Sequence, residues 1–340
     1  MNVQQTTSAS GRARVWRHAA LAALLIIPVM VWPDFVVDGL TFSAMGLVSV
    51  SPLVVPGILL TAWIMASGAD RIISRAFEGR MLRAIIAASL IGAITPVCGV
   101  TILPLMVGLL AAGVPLAPVM AFWLSSPVTD PAMLATTAAT LGIAFAVGKT
   151  VAAFGLGLFG GAVTAALSGQ NEVGEILRKG GLASGLAAGT CCSANSFEPR
   201  VWREAGRRAA FYRQGVATTR LILICLIPAF FAEYALNAVL TPGSLAQYVG
   251  EDKWWAIPAA VFVGAPAYID GYAALPLTRA LVDNGMSPGA AMAFLVSGGV
   301  VSIWGALAIF PVLKLRPFLL YLVLAVTGSM MAGYLFGWVV

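Results

Sequence analysis

Charge is scarce in this chain: charged residues make up 10% of its 340 positions, against about a quarter in soluble globular domains. With 60% hydrophobic residues, that scarcity excludes a water-soluble globule and leaves an integral membrane protein. Histidine is nearly absent. His18 is the sole one and precedes the first apolar run, so no His-Glu-x-x-His metal motif can be built. Neither a Gly-x-Ser-x-Gly nucleophile nor a nucleotide-binding signature occurs. ATP hydrolysis by this chain, a metal site and a bound cofactor are therefore not expected. The cysteines are few, at Cys98, Cys191, Cys192 and Cys225. One falls in an apolar block and two adjacent ones fall in a basic loop, where thiols stay reduced, so they make no secreted disulfide framework.

Long apolar stretches are abundant. Runs of about the 20 residues that a bilayer crossing takes lie at 17–37, 50–68, 146–167, 219–240 and 318–339. Two further blocks, 84–143 and 256–312, are apolar but broken by Gly, Pro and polar residues. Residues 1–16 are polar, and the run after them reaches Trp32-Pro33-Asp34 without a small-residue cleavage pattern, which reads as a retained signal anchor. The basic residues gather in four segments: Arg12 to Arg17, Arg71 to Arg83, Arg178 to Arg220, and Lys314 with Arg316. Lys and Arg near span ends stay on the cytoplasmic side, which puts all four segments and the N-terminus inside, in a multi-pass protein of a bacterial inner membrane. That placement accounts for the net charge of +6 without a nucleic-acid partner. The expected partners are a small-molecule substrate and membrane lipid, the latter drawn to the loop arginines, with a homo-oligomer left open.

Shifted by 172 residues, the chain partly repeats. Gly92-Ala93, Gly99, Leu103-Pro104-Leu105, Leu109, Gly113, Met120-Ala121-Phe122 and Ser125 fall without a gap on Gly264-Ala265, Gly271, Leu275-Pro276-Leu277, Leu281, Gly285, Met292-Ala293-Phe294 and Ser297. The span at 50–68 ends at a basic segment and its counterpart at 219–240 starts from one, so the copies read as inverted. Between Arg83 and residue 146 the chain must cross an odd number of times in a length too short for three full spans. A hairpin over 84–112, turning at Thr95 to Gly99, and a broken crossing over 115–143 meet that condition, with Gly264 to Asn284 and 287–312 as their counterparts. The expected fold is all-α: a polytopic transmembrane helical bundle with two inverted-topology repeats, each with a re-entrant hairpin and a broken helix. Residues 1–46 would form the cytoplasmic N-terminus and an extra transmembrane helix. Residues 47–168 would form the first repeat, 169–218 a cytoplasmic linker loop and 219–340 the second repeat, in one integrated transmembrane domain. Internal duplication with Gly and Pro breaks at matching places is the mark of a secondary transporter whose site lies where the copies meet.

Several residues could carry that site. In Ser125-Ser126-Pro127-Val128-Thr129-Asp130-Pro131 two prolines remove backbone donors, while Ser125, Ser126, Thr129 and Asp130 supply oxygen ligands; the competing reading is a proline kink with Asp130 in a loop. Ser297-Gly298-Gly299 takes the matching place in the second copy. Asp270, before Gly271, aligns with Cys98, before Gly99. A carboxylate at membrane depth is costly and functional by default, so Asp270 is a proton-coupling candidate, with Asp130 and Glu233 as further ones; Asp270 also fits a solvated hairpin tip. Cys98 is a soft ligand for a thiophilic substrate or a small packing residue. Cys191-Cys192 could relay a soft ion, though adjacent cysteines chelate poorly. Arg279 and Asp283 have the i, i+4 spacing of a helical ion pair. Lys149, near a span start, reads as snorkelling to the interface.

The run Thr95-Pro96-Val97-Cys98-Gly99, Leu103-Pro104-Leu105, Leu110 to Pro115, Met120-Ala121-Phe122 and Ser126 to Pro131 resembles the bacterial predicted-permease family that includes the ArsP-type trivalent organoarsenical efflux permeases. The turn departs from the family's Cys-Ser-Cys pattern, since Gly99-Val100 follow Cys98. The resemblance implies a permease, and efflux of an organoarsenical or another thiophilic or metalloid solute. The alternatives from other classes are an intramembrane enzyme acting on a lipid phosphate and a passive channel.

Overall fold

The computed structural model describes residues 32–69, 80–94, 103–111, 114–129, 131–167, 176, 197–239, 255–267, 274–301, 306, 309–310 and 312–340. The α-helices there are α1 (Pro33–Ser67), α2 (Met81–Ile94), α3 (Leu103–Ala111), α4 (Leu116–Ser125), α5 (Pro131–Thr140), α6 (Ile143–Leu167), α7 (Ala205–Val239), α8 (Ala256–Ala267), α9 (Ala274–Asp283), α10 (Pro288–Val301) and α11 (Leu315–Val339). Among the described residues the regular structure is nearly all helical, as expected for a membrane helical bundle. Among the described residues, four stretches are long and apolar enough to cross a membrane: Pro33–Pro52, Ile143–Leu167, Ala205–Ala232 and Leu315–Val339.

The first helix differs from the sequence reading. Residues 38–49, which separate the apolar runs 17–37 and 50–68, are helical, and α1 is continuous for 35 residues, about 52 Å at 1.5 Å per residue. Its polar groups are satisfied within the helix: Thr41 Oγ1 donates to the Val37 carbonyl at 3.0 Å and Ser43 Oγ to that of Gly39 at 2.7 Å. Pro33 sits in the first turn, where a missing N–H costs nothing, and Gly68 closes the helix in the left-handed conformation, its N–H donating to the Ile64 carbonyl. Residues 47 and 219, the expected starts of the repeats, both lie inside helices.

Helix starts in the two halves correspond at the sequence offset of 172. The starts Pro33 and Ile143 map onto the starts Ala205 and Leu315. Packing corresponds as well. A Cβ on Gly92 would stand 2.8 Å from the Phe122 carbonyl oxygen and against Ser125 Oγ; a Cβ on Gly264 would stand 2.9 Å from the Phe294 carbonyl oxygen and against Ser297 Oγ. Gly161 meets Ile85 and Ala121 just as Gly333 meets Ile257 and Ala293. In each half, therefore, a glycine lets one short helix cross directly on the backbone of the next.

Between the halves, the counterpart helices run antiparallel. The start of α1 meets the end of α7, with Phe35 and Tyr234 rings 5.0 Å apart and Gly46 against Phe230. At the opposite ends, Arg207 of α7 donates to the Ser67 carbonyl at 3.0 Å, satisfying an orphan acceptor at the α1 terminus. Likewise Phe145, early in α6, lies 4.9 Å from Phe336, late in α11, and mid-helix Leu156 touches Gly328. The centre of the molecule is α4 and α10: every residue of α4 and most of α10 are buried. Outward faces are apolar instead, with Leu40, Val48, Leu59, Leu319, Val323 and Trp338 exposed. Apolar residues outside and Lys149 and Arg207 inside are the distribution of a protein solvated by lipid.

Candidate transport site

The break expected after Ser125 is present. The α4 helix gives way to a 3-10 turn over Ser126–Val128, Thr129 is extended at φ −138° and ψ 137°, and α5 begins at Pro131. Pro127 and Pro131 enforce this, since neither supplies an amide hydrogen. The carbonyl end of α4 is well satisfied. Ser125 Oγ donates to the Ala121 and Phe122 carbonyls at 2.9 and 3.1 Å, and the Ser126 amide also reaches Phe122. Thr129 Oγ1 donates to the Ala93 carbonyl at 2.7 Å, tying the break to the end of α2. Ser125, Ser126 and Thr129 are all buried.

At the described positions that match the break, the second half is helical. Against the expectation for Ser297-Gly298-Gly299, α10 runs as regular helix through all three residues to Val301. The positions matching Pro127 and Pro131 are Gly299 and Ile303, which keep their amide donors, and at Gly299 the helix continues. Ser297 Oγ donates to the Phe294 carbonyl at 3.2 Å, and Ser297 and Gly298 are buried.

The two halves touch at this point. A Cβ on Gly299 would lie 3.0 Å from the Pro127 carbonyl oxygen and 3.6 Å from Val128 Cα. Pro127 and Gly299 are counterparts at the offset of 172, and so are Leu156 and Gly328. Beside the crossing, the Trp123 and Tyr321 rings stack at 4.8 Å, and the Tyr321 hydroxyl donates to the Val300 carbonyl. Trp123 is 2% exposed, and among the described residues its indole N–H has no acceptor.

Cys98, Gly99, Asp130, Asp270, Gly271, Cys191 and Cys192 lie outside the described residues, as does the Glu233 side chain within α7. Of the expected site, Ser125, Ser126, Thr129, Ser297 and Gly298 are among the described residues, and the contact between the two segments is that of Gly299 with Pro127 and Val128. The Arg279–Asp283 pair forms at 3.0 Å with both side chains 54% exposed. Lys149 does not snorkel: it is 0% exposed. Sequence reading missed Lys149, Trp123 and Tyr321 as central residues. One available signal was that positions 149 and 321 are themselves counterparts.

The whole bundle, rather than one motif, is what known proteins share with this chain. The family model described as a predicted permease, of ArsP type, matches residues 38–338. The chain belongs to this family. The permease is also similar to UPF0718 protein MJ0584 of Methanocaldococcus jannaschii, 31% identical over 138 residues, which is 41% of this chain and 38% of that protein. The chain therefore aligns with well under half the length of that relative. No solved structure matches the permease.

Proposed function

We propose that this membrane permease is a secondary transporter that exports a small solute by alternating access, its two halves forming inverted copies that rock about their shared crossing. One observation carries the reading: counterpart residues of the two halves meet each other, Pro127 against Gly299 and Leu156 against Gly328, while the counterpart helices run antiparallel. Self-contact of equivalent positions is what a two-fold relation between like parts produces. An antiparallel relation places that axis across the helices, as in carriers whose site sits at the repeat interface. In the broken backbone at Ser126–Val128, Ser126 and Val128 are buried inside the protein, a setting in which irregular backbone is tolerated at membrane depth.

In this reading the substrate binds between the hairpin tips at Cys98-Gly99 and Asp270-Gly271 and the crossing formed by Ser125, Ser126, Thr129, Asp130, Ser297 and Gly298. Asp270, Asp130 and Glu233 are the groups assigned to proton coupling. The cargo proposed from the family resemblance is a trivalent organoarsenical or another thiophilic solute meeting Cys98. Membership of a permease family favours carriage over lipid-phosphate enzymology.

The test is arsenic accumulation from phenylarsine oxide by everted vesicles carrying the full chain, with and without a proton gradient. Saturable, gradient-dependent uptake that Asp270→Asn abolishes at unchanged protein level is expected. Non-saturating flux removes the carrier reading, and an absence of arsenic uptake removes the arsenical cargo. Thiols introduced at Asp70→Cys and Gly250→Cys should label from opposite faces of the membrane; labelling from one common face overturns the inversion.

A further inference from the structure

The α1 and α7 helices fill the space between them along one half of their length and leave a groove along the other. Where the start of α1 meets the end of α7, aromatic rings lie directly on glycines. A Cβ on Gly39 would stand 2.6 Å from the Phe231 ring, and one on Gly46 would stand 2.9 Å from that of Phe230. At the offset of 172, Phe230 and Phe231 correspond to Ile58 and Leu59. There the same two helices leave a groove of about 830 Å³, walled by Val55, Ile58 and Leu59 of α1 and by Leu223 and Ile224 of α7. Gly215 also lines it, and a Cβ there would meet nothing within 4 Å.

The sequence differences between the two matched places run the same way. Rings give way to aliphatic side chains, Gly215 stands opposite Ser43 in the alignment, and Arg220 stands opposite Val48. Space and a positive charge thus coincide. Arg220 is exposed and lines the groove, whose remaining polar side chains are Tyr212 and Thr219. The Thr219 hydroxyl is taken by its own helix, donating to the Gly215 carbonyl at 2.8 Å. No acidic side chain is among the groove's walls, and among the described residues Arg220 makes no ion pair.

The surroundings specify the occupant. Outward faces of both helices are apolar, so the matter that reaches an open groove there is lipid, and an empty groove would forfeit dispersion contacts along both walls. Along α7 the exposed side chains change from Arg208, Tyr212 and Arg213 toward the amino end to Leu223, Ile224 and Ile227 beyond Arg220. That is the succession of a headgroup boundary, where arginine and tyrosine place apolar stems in lipid and polar ends at the interface. From Ala205 to Arg220 the sequence holds Arg207, Arg208, Arg213 and Arg220 and no acidic residue, a balance that attracts anionic headgroups.

We propose that the groove between α1 and α7 is a binding site for one anionic phospholipid, its acyl chain lying against the apolar walls and its phosphate paired with Arg220. Guanidinium and phosphate form charge-assisted, two-pronged hydrogen bonds, which a zwitterionic lipid satisfies less well because its own cation competes. The site is separate from the crossing of Pro127 and Gly299 and does not rest on the carrier reading.

Native mass spectrometry of the full chain, released from nanodiscs holding phosphatidylglycerol and phosphatidylcholine in equal amounts and with identical chains, tests the assignment. The first lipid retained should be phosphatidylglycerol, several-fold over phosphatidylcholine. Arg220→Gln should bring that ratio close to one, while Arg208→Gln, on the same helix but outside the groove, should leave it unchanged. Gly215→Leu, whose Cβ meets no neighbour and which favours the helix, should fill the groove and lower retention of both lipids several-fold. If it aggregates, Leu59→Phe fills the groove from the α1 wall with the ring that occupies the matched position 231. A wild type without preference for phosphatidylglycerol overturns the proposal. So does an equal loss of preference in Arg208→Gln, which would make the attraction general to the basic end of α7. Unchanged lipid retention in the filled variant also overturns it, and if that variant turns a dimer into a monomer the groove is a contact between two copies of the chain.

Discussion

The central helix of the first half stops at Ser125, turns through Ser126–Val128 and restarts at Pro131, while that of the second half continues through the matching positions to Val301. Around this difference the two halves are alike, down to the glycines on which their helices cross: Gly92 on Phe122 and Ser125, Gly264 on Phe294 and Ser297. Two prolines account for the contrast, and the charges follow it. The first half carries Asp130 and Lys149 where the second carries Ser302 and Tyr321. The glycine crossings are thus shared at the offset of 172, while a proline-broken backbone occurs at Ser126–Val128 and a helix at the matching positions.

The sharpest way to break the comparison is to give the second half the first half's proline. Gly299→Pro removes an amide donor from α10 and sets a ring against the Pro127 carbonyl, which would already stand 3.0 Å from a Cβ. Proline in a helix interior costs about 3 kcal/mol or more, and here the partner is backbone that cannot swing aside. The expected outcome is loss of monodisperse protein on fluorescence-detected size exclusion. A variant as abundant and as stable as the wild type would mean that α10 is already broken at 299 and that the halves do not differ there.

Next in size are the crossings that make the halves alike. Gly92→Ala and Gly264→Ala each push a methyl group to within 2.8 or 2.9 Å of a backbone carbonyl oxygen, and overpacking of this kind costs about 1–3 kcal/mol. Equal drops in unfolding temperature for the two variants are expected. A large drop for one and none for the other would show that the corresponding contacts are not equivalent in the folded protein.

Much of this frame was legible in the sequence, because Gly and Pro report backbone needs that do not depend on the rest of the fold. The offset pairs Gly92/Gly264 and Ser125/Ser297 turned out to touch one another in both halves, and Pro127 marked a true break. Less legible were features set by tertiary surroundings. Residues 38–49 lie between the apolar runs read at 17–37 and 50–68 yet are helical, and the Thr41 and Ser43 hydroxyls are satisfied by their own helix. Two glycines at 298 and 299 stand where the first half breaks, but α10 is helical there, because glycine weakens a helix without forbidding it and packing against neighbouring helices decides. Lys149 looked like an interface residue because its distance from the start of the span was read without the helix that would cover it.

The smallest effect sharpens the comparison at its edge. Arg279 and Asp283 of α9 form an ion pair at 3.0 Å, each 54% exposed, whereas their counterparts on α3 are Val107 and Ala111. Val107 is buried and the adjoining Gly108 receives Met65 of α1, so the first half uses this helix face for packing and the second leaves it open. An exposed i, i+4 pair is worth about 0.3–0.5 kcal/mol, since solvent competes for both charges and two long side chains lose freedom. Arg279→Ala should therefore leave the unfolding temperature nearly unchanged, while Val107→Ala, which opens space in a packed face, should lower it by several degrees. If Arg279→Ala is instead the more damaging of the two, the pair is covered in the native membrane protein, and the two halves are packed more alike on this face than the isolated chain displays.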